Sequence, residues 1–221
     1  METAVTERPK LKMHPSIQLA SGDYFDFLNP ESTPLSIWDI ATGLSRICRF
    51  TGHLRDPEIA TYTVAQHCVL ASENGEGDAY EKLMHDRAES VIGDVSSPLK
   101  QLLPEYKRIE DHIEAVTAVQ FNLPHPMSAS CKVMDLRMLA TEKRDLMPCD
   151  KDGDYWSLLR DIAPLPFTII PWEPAEARAR FLHRYNYLAF GYVPDEDEPF
   201  AQPHANAPAE YVDACYAAWG R

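Results

Sequence analysis

Two histidines and two aspartates in this chain have the chemistry of a metal-binding set. His85 and Asp86 are adjacent, His67 lies 18 residues upstream of His85, and Asp135 lies in the later segment KVMDLRMLATEKRDLM. All of these segments have helical patterns or lie at helix ends. Imidazole nitrogens and carboxylate oxygens on packed helices form a mixed ligand cage for a divalent metal. The set therefore predicts hydrolysis by a metal-activated water.

Two further acids follow the dipeptide closely, at Glu89 and Asp94. Residues three and four apart share a helix face, so a helix over 78–92 would place Glu89 on the same side as His85 and Asp86. The alternative interpretation of this segment alone is a solvated acidic helix face.

The isolated residues also have ordinary explanations. His67 has apolar neighbours, as expected of a histidine satisfied within a core. Asp135 lies between Met134 and Leu136, where an unpaired carboxylate is costly, and a salt bridge to Arg137 or Lys132 would explain it. One metal site accounts for all four residues together, so we favour it over four separate explanations.

The composition limits the class of protein. The chain has 221 residues, 45% of them hydrophobic, which suits one sizeable core, and a net charge of −13, which argues against binding polymeric nucleic acid or anionic membranes. Its five cysteines show no C-x-x-C spacing and are odd in number, as expected of reduced thiols in a cytoplasmic protein. Neither a signal peptide nor a membrane span is predicted.

The elements that must position these residues are mostly helical, so we predict an all-α fold with a short N-terminal β-hairpin. The turn Ser21-Gly22-Asp23 predicts the hairpin at 16–28, and loops are expected at 50–56 and between Asp94 and Lys100. One domain over 16–193 is expected, followed at 194–221 by a linker rich in proline and acids and a C-terminal tail. Helices are predicted at 35–49, 60–73, 78–92, 104–121, 127–147, 154–162 and 174–190.

The ordered pattern H…HD…D resembles the HD-domain metal-dependent phosphohydrolases. The runs RFTGH, YTVAQH, HDRAESVIGDVSSPLK and KVMDLRMLATEKRDLM, between about residues 35 and 148, are similar to the branch of bacterial 5′-deoxynucleotidases and phage dATP triphosphohydrolases. This resemblance implies an HD-domain helical bundle with the metal at its centre. The 18 residues between His67 and His85 are a shorter connection than many relatives have.

The resemblance also implies roles for individual residues. His67, His85, Asp86 and Asp135 would bind a divalent cation (Zn, Co, Mn or Mg), while Glu89 and Asp94 would be the catalytic acids. Substrate contacts would come from Arg49, Gly52 and His53 in RFTGH and from Lys100 and Lys132. Lys100 could instead be only a solubilising loop residue, and Lys132 could pair with Asp135.

These roles predict an enzyme that hydrolyses deoxynucleotides at the 5′ ester bond in the cytoplasm of a bacterial or phage-infected cell. The three candidate cations Arg49, Lys100 and Lys132 favour a triphosphate substrate such as dATP, which would release triphosphate, and the adenine preference is implied by the resemblance alone. A 5′-deoxynucleotidase acting on monophosphates, a non-catalytic nucleotide-binding protein and a helical adaptor that uses the tail are the alternatives. We also expect a homo-oligomer.

Overall fold

The computed structural model describes residues 13–149 and 155–191. The described chain begins with the predicted hairpin, in which β1 (Ser16–Gln18) pairs antiparallel with β2 (Tyr24–Asp26). Gly22 supports the turn with φ of +99°, a conformation that few residues other than glycine adopt. Phe25 on β2 is buried in the main core, so the hairpin packs onto the helices.

Helices make up most of the described chain, which confirms the mostly α-helical prediction. They are α1 (Ile37–Leu44), α2 (Val64–Glu73), α3 (Ala79–Met84), α4 (Glu89–Ile92), α5 (Ser97–Lys100), α6 (Pro104–Gln120), α7 (Ala129–Leu146) and α8 (Pro174–Phe190). Short 3₁₀ turns occur at Pro30–Ser32, Arg49–Gly52 and Ser157–Leu159.

Local sequence explains where these helices begin and end. Thr63 and Ser128 cap α2 and α7 by accepting hydrogen bonds from backbone N–H groups in the first turn. Pro104 opens α6, as suits the first helical position, and Gly191 ends α8 in the left-handed conformation.

Two predicted helices and one predicted loop differ from the structure. The helix predicted at 35–49 ends at Leu44, so Arg49 lies instead in a 3₁₀ turn. The described part of the predicted helix at 154–162 contains only the turn Ser157–Leu159. Lys100, predicted in a loop, closes the short helix α5.

The most consequential difference is at the dipeptide itself. The helix predicted at 78–92 is broken into α3 and α4, with a turn over 85–88 between them. The backbone tightens there, since Glu89 N donates to Asp86 O over three residues rather than four. The prediction that His85, Asp86 and Glu89 share one face of one helix is therefore wrong: the first two lie in the turn, and Glu89 begins the next helix.

Helix α2 lies at the centre of the packing and contacts α1, α3, α7 and α8. Val64, Ala65 and Cys68 on α2 are fully buried, which explains why His67 between them is also fully buried. Gly43 lets α1 pack closely on α4: a Cβ at this position would lie only 2.7 Å from the Ser90 carbonyl oxygen. Together these contacts hold α2, the turn at 85–88 and α7 around one point.

Within 13–149 and 155–191, the helices are all too short or too polar to traverse a lipid bilayer. The predicted linker and tail at 194–221 lie outside the described residues.

Candidate metal centre

The four predicted ligands come together in the structure. His67 comes from the middle of α2, His85 and Asp86 from the turn at 85–88, and Asp135 from the second turn of α7. His67 Nε2 lies 3.1 Å from His85 Nε2 and 3.3 Å from Asp135 Oδ1, and Asp86 Oδ2 lies 3.2 Å from His85 Nε2. Residues from three separate elements thus converge on one point.

These spacings suit a bound divalent ion. With metal–nitrogen and metal–oxygen bonds of about 2.1 Å, neighbouring ligand atoms lie roughly 3.0–3.4 Å apart. His67, His85 and Asp135 offer atoms that all lie within 4.8 Å of one another, and the 3.9 Å from His85 Nε2 to Asp135 Oδ1 needs only a small contraction. Asp86 Oδ2 lies 3.7 Å from His67 Nε2 but outside that group, so Asp86 would have to move toward Asp135 to bind the same ion. The side chain of Asp135 is 42% exposed, which leaves one side of the site open to a substrate or water.

Both histidines are oriented for coordination through Nε2. His67 Nδ1 lies 2.6 Å from Glu142 Oε1, and His85 Nδ1 lies 2.8 Å from the Lys82 carbonyl oxygen. Each acceptor holds a proton on Nδ1, which leaves the Nε2 lone pair free. With Nδ1 engaged on both rings, the two Nε2 atoms converge with the Asp86 and Asp135 carboxylates, and this donor set fits a divalent metal ion.

The electrostatics of the cluster also favour a cation. Burial disfavours a charged imidazolium, but the Asp86 carboxylate raises the pKa of His85 well above its usual value. The pKa of His67 is also raised despite burial, chiefly by Glu142. Burial would raise the pKa of Asp135, but the neighbouring imidazoles of His67 and His85 hold it well below its usual value. The carboxylates thus stabilise positive charge at this point.

Cys68 also lies near His85 and Asp86 but is a poorer ligand. Its Sγ is 4.0 Å from His85 Nδ1, the nitrogen already bonded to the Lys82 carbonyl. Burial raises the pKa of the Cys68 thiol to about 11, and metals bind the thiolate. The mixed set of histidines and aspartates is the better candidate.

Glu142 is a component of the site that the sequence analysis missed. It lies on α7 two turns after Asp135 and is fully buried. Its carboxylate accepts hydrogen bonds from His67, from Tyr62 Oη at 2.9 Å and from Arg49 Nη2 at 3.1 Å. Burial alone would raise the pKa of Glu142, but Arg49 and His67 lower it, so the carboxylate stays charged. Its spacing of seven residues from Asp135, the same helix face, was the available signal.

Arg49, a predicted substrate contact, bridges two carboxylates at the edge of the cluster. Its Nη1 lies 3.5 Å from Asp86 Oδ2, while Nη2 pairs with Glu142. Arg49 Nε is buried without a hydrogen-bond partner. The arginine therefore neutralises charge around the ligands, and its contact with a substrate stays a prediction.

Glu89 and Asp94, the predicted acids, lie beside the ligands. Glu89 begins α4, is buried, and has an Oε2 atom with no hydrogen-bond partner. Burial, with the nearby charges of Asp86 and Asp94, raises the pKa of Glu89 well above its usual value. Burial likewise raises the pKa of Asp94, which is half-buried after α4. A carboxyl with a raised pKa is better suited to hold and deliver a proton than one with an ordinary pKa.

A cavity of about 490 Å³ adjoins Glu89 and extends along α6. Lys100 lies on its wall, with Nζ 2.6 Å from Glu110 Oε1 and 3.7 Å from Glu89 Oε1. Lys107, which like Glu110 lies on α6, contacts Glu110 Oε2 through its Nζ at 3.3 Å. The volume is in the range of small-molecule sites. The sequence analysis missed Lys107 and Glu110, because their segment was interpreted only as a helix.

The other predicted substrate residues lie away from the cavity wall. Gly52 and His53 are exposed at the end of the 3₁₀ turn that Arg49 begins. Lys132 is exposed on α7, one turn before Asp135. Of the five predicted substrate residues, all within the described ranges, Lys100 is the one that lines the cavity.

Comparison with known proteins identifies relatives over most of the chain. It is 43% identical over 175 residues to the Escherichia coli (strain K12) protein "Uncharacterized protein YfdR", covering 78% of this chain and 95% of that protein. It is 31% identical over 191 residues to "Uncharacterized protein RCAP_rcc00048" of Rhodobacter capsulatus, covering 77% and 94%. No family model matches the chain. Neither relative's name states an activity.

Proposed function

The chain belongs to the same family as YfdR, and we propose that it is a metal-dependent phosphohydrolase that cleaves deoxynucleotides at the 5′ ester bond. The observation that carries this proposal is the convergence of His67 Nε2, His85 Nε2 and two carboxylates beside a cavity of about 490 Å³. The choice of a deoxynucleotide comes from the resemblance to the HD-domain phosphohydrolases.

His67, His85, Asp86 and Asp135 would hold the metal, which when bound polarises the phosphoryl group and lowers the pKa of a coordinated water. The cavity that His85 and Asp86 line is where the phosphate would approach. Arg49, 3.5 Å from Asp86, balances the charge of the carboxylates.

Glu89 is the residue best placed to move the proton. Its carboxyl is buried, its Oε2 has no partner, and burial raises its pKa well above the usual value, so it holds a proton more readily than an exposed glutamate. It lines the same cavity as His85 and Asp86, and we assign it to protonate the departing 5′ oxygen. General acid catalysis of this kind typically contributes about 10²–10⁴ in rate. This spare, unpaired acid favours an enzyme over a non-catalytic binding protein.

The charge of the cavity wall favours a short phosphate group. Lys100 and Lys107 share that wall with four acids, Asp86, Glu89, Glu110 and Glu114, and Glu110 already pairs with both lysines. A triphosphate carries about twice the charge of a monophosphate, and this wall offers little surplus positive charge to balance it. We therefore rank a 5′-deoxynucleotidase activity on monophosphates ahead of triphosphate hydrolysis, the reverse of the order that the three-cation argument gives.

The test is a substrate panel with the full-length protein. Deoxynucleoside mono-, di- and triphosphates, ribonucleotides and 3′,5′-cyclic nucleotides are each incubated with Mg²⁺, Mn²⁺, Co²⁺ or Zn²⁺, and the products are separated by chromatography. Release of phosphate and deoxynucleoside from monophosphates supports the proposal, and release of intact triphosphate selects the second activity. Turnover that is unaffected by chelation would contradict both.

A further inference from the structure

The buried carboxylate of Glu142 touches a metal-ligating histidine on the side away from the metal position. It is fully buried and lies 2.6 Å from His67 Nδ1, while His67 Nε2 faces His85 and Asp135. An acceptor at Nδ1 fixes the tautomer of an imidazole and raises the basicity of its other nitrogen. Glu142 therefore acts on the ligand atom through the ring.

The partners of Glu142 also hold its own position. Oε1 accepts from Tyr62 Oη as well as from His67, and Oε2 accepts from Arg49 Nη2. Arg49 in turn reaches Asp86, a second ligand, at 3.5 Å. A buried carboxylate with three hydrogen bonds is held rigidly, because breaking any one of them would leave a desolvated polar group without a partner.

One helix thereby controls two ligands. Asp135 and Glu142 are seven residues apart on α7, so both point toward α2 from the same face. Asp135 contributes its own oxygen, while Glu142 orients the ring of His67 on α2. Loss of the Glu142 charge would free the ring to adopt the other tautomer while leaving all four ligands in the chain.

We propose that Glu142 is a positioning residue that presents His67 Nε2 to the metal; this inference rests on the proposed function, which requires that metal. The variant Glu142→Gln has nearly the same size but removes the charge. Glu81→Gln is the matched control, because Glu81 is also buried and also joins two helices, through Ser128, without touching a ligand nitrogen. Glu142→Asp serves as a second variant that keeps the charge, and circular dichroism checks the fold of each.

Two measurements test the inference. The affinity for Mn²⁺ and Zn²⁺, titrated against a competing chelator, should fall about 10–100-fold in Glu142→Gln, the usual cost of losing such a partner, and stay near wild type in Glu81→Gln. In metal-free protein, ¹⁵N NMR of the imidazoles should find His67 protonated on Nδ1 in wild type and shifted toward the other tautomer in Glu142→Gln. Equal affinities or equal tautomer populations in wild type and Glu142→Gln would overturn this inference. A wild-type protein that binds neither metal would instead overturn the proposed function, whatever the tautomer of His67.

Discussion

Two buried glutamates on opposite sides of the candidate metal centre differ in how they are satisfied. Glu142 on α7 accepts hydrogen bonds from His67, Tyr62 and Arg49. Glu89 on α4 has one oxygen with no partner, and its nearest cation is Lys100 at 3.7 Å. Burial raises the pKa of Glu89, whereas Arg49 and His67 lower that of Glu142 against the effect of burial. The two glutamates therefore differ in how readily they bind a proton as well as in how firmly they are held.

This difference suggests separate roles for the two glutamates: Glu142 holds a metal ligand in place, and Glu89 is available to transfer a proton. A buried polar group without a partner costs about 1–3 kcal/mol and needs an explanation, and a catalytic role is one of the accepted explanations. The side of the site next to α7 fixes atoms in place. The side next to α4 and the cavity keeps a carboxyl free to exchange a proton and lysines free to change partners.

The largest expected effect comes from removing one of the predicted metal ligands. His67→Ala and Asp135→Ala should each remove bound metal and lower turnover by more than the roughly 10–100-fold typical of a supporting residue. Both side chains supply atoms within 3.3 Å of each other at the metal position. Metal analysis and kcat/KM are measured together.

Glu176→Ala is the control for those two variants, because Glu176 is an exposed residue of α8 that pairs with Arg180. If His67→Ala or Asp135→Ala retains full metal content and full rate, the ligand assignment is wrong.

The next effect isolates the reacting side. On the proposed function, Glu89 supplies the proton and is not needed to complete the ligand set, so Glu89→Ala should keep its metal and lose about 10²–10⁴ of turnover. Metal content and kcat are compared in the same preparation. Normal turnover would move the role elsewhere, and Asp94, half-buried nearby with a pKa raised by burial, is the next candidate.

The same comparison explains what the sequence alone could predict. The clustering of His67, His85, Asp86 and Asp135 was predictable, because their types and order match a known pattern; their role as metal ligands stays a prediction. The supporting partners were not: Glu142 looks like any charged helix residue until the fold places it 2.6 Å from His67. Residue type gives the chemistry, but long-range packing decides which carboxylate meets which nitrogen.

The fold shows the same division between local and long-range information. The hairpin and the helices over α6, α7 and α8 were predicted from local patterns with small errors at their ends. The break at 85–88 was not, because its residues have ordinary helical propensity. Close packing of α1 on α4 at Gly43, where a Cβ would meet the Ser90 carbonyl oxygen at 2.7 Å, places α4 and is a tertiary effect that periodicity does not reveal.

A smaller effect is expected when the lysine on the cavity wall is removed. Lys100→Ala should lower kcat/KM roughly tenfold to a hundredfold, because a charge-assisted contact is worth about 1.5–3 kcal/mol. Lys132→Ala, exposed on α7 and outside the cavity wall, is the matched variant and should change little. Both are measured with deoxyadenosine mono- and triphosphate.

The substrate dependence of those losses decides between the two phosphate lengths. A larger loss on the triphosphate in both lysine variants would restore the three-cation prediction from the sequence. Similar losses on both substrates in Lys100→Ala alone would mean that Lys100 contacts the α-phosphate, as the monophosphate activity requires.

The smallest effect concerns stability and tests whether Glu89 is as poorly satisfied as its geometry indicates. In metal-free protein, Glu89→Gln should be more stable than wild type near neutral pH, because it removes a buried carboxylate whose Oε2 lacks a partner. The gain should be about 1–3 kcal/mol, or several degrees in melting temperature for a chain of this size. Glu110→Gln should do the opposite, since Glu110 is equally buried but pairs with Lys100 and Lys107.

The pH dependence of that gain has a definite sign. The folded protein raises the pKa of Glu89 above its unfolded value of about 4.3, so the folded state binds the extra proton between the two values. Wild-type stability attributable to this group therefore falls as pH rises from the unfolded pKa to the folded one. Thermal melts should show wild type and Glu89→Gln nearly equal at pH 4 and diverging above it. A Glu89→Gln variant that is destabilised at pH 7 as much as Glu110→Gln would mean that Glu89 is held by its surroundings much as Glu142 is, and the contrast between the two sides of the site would be lost.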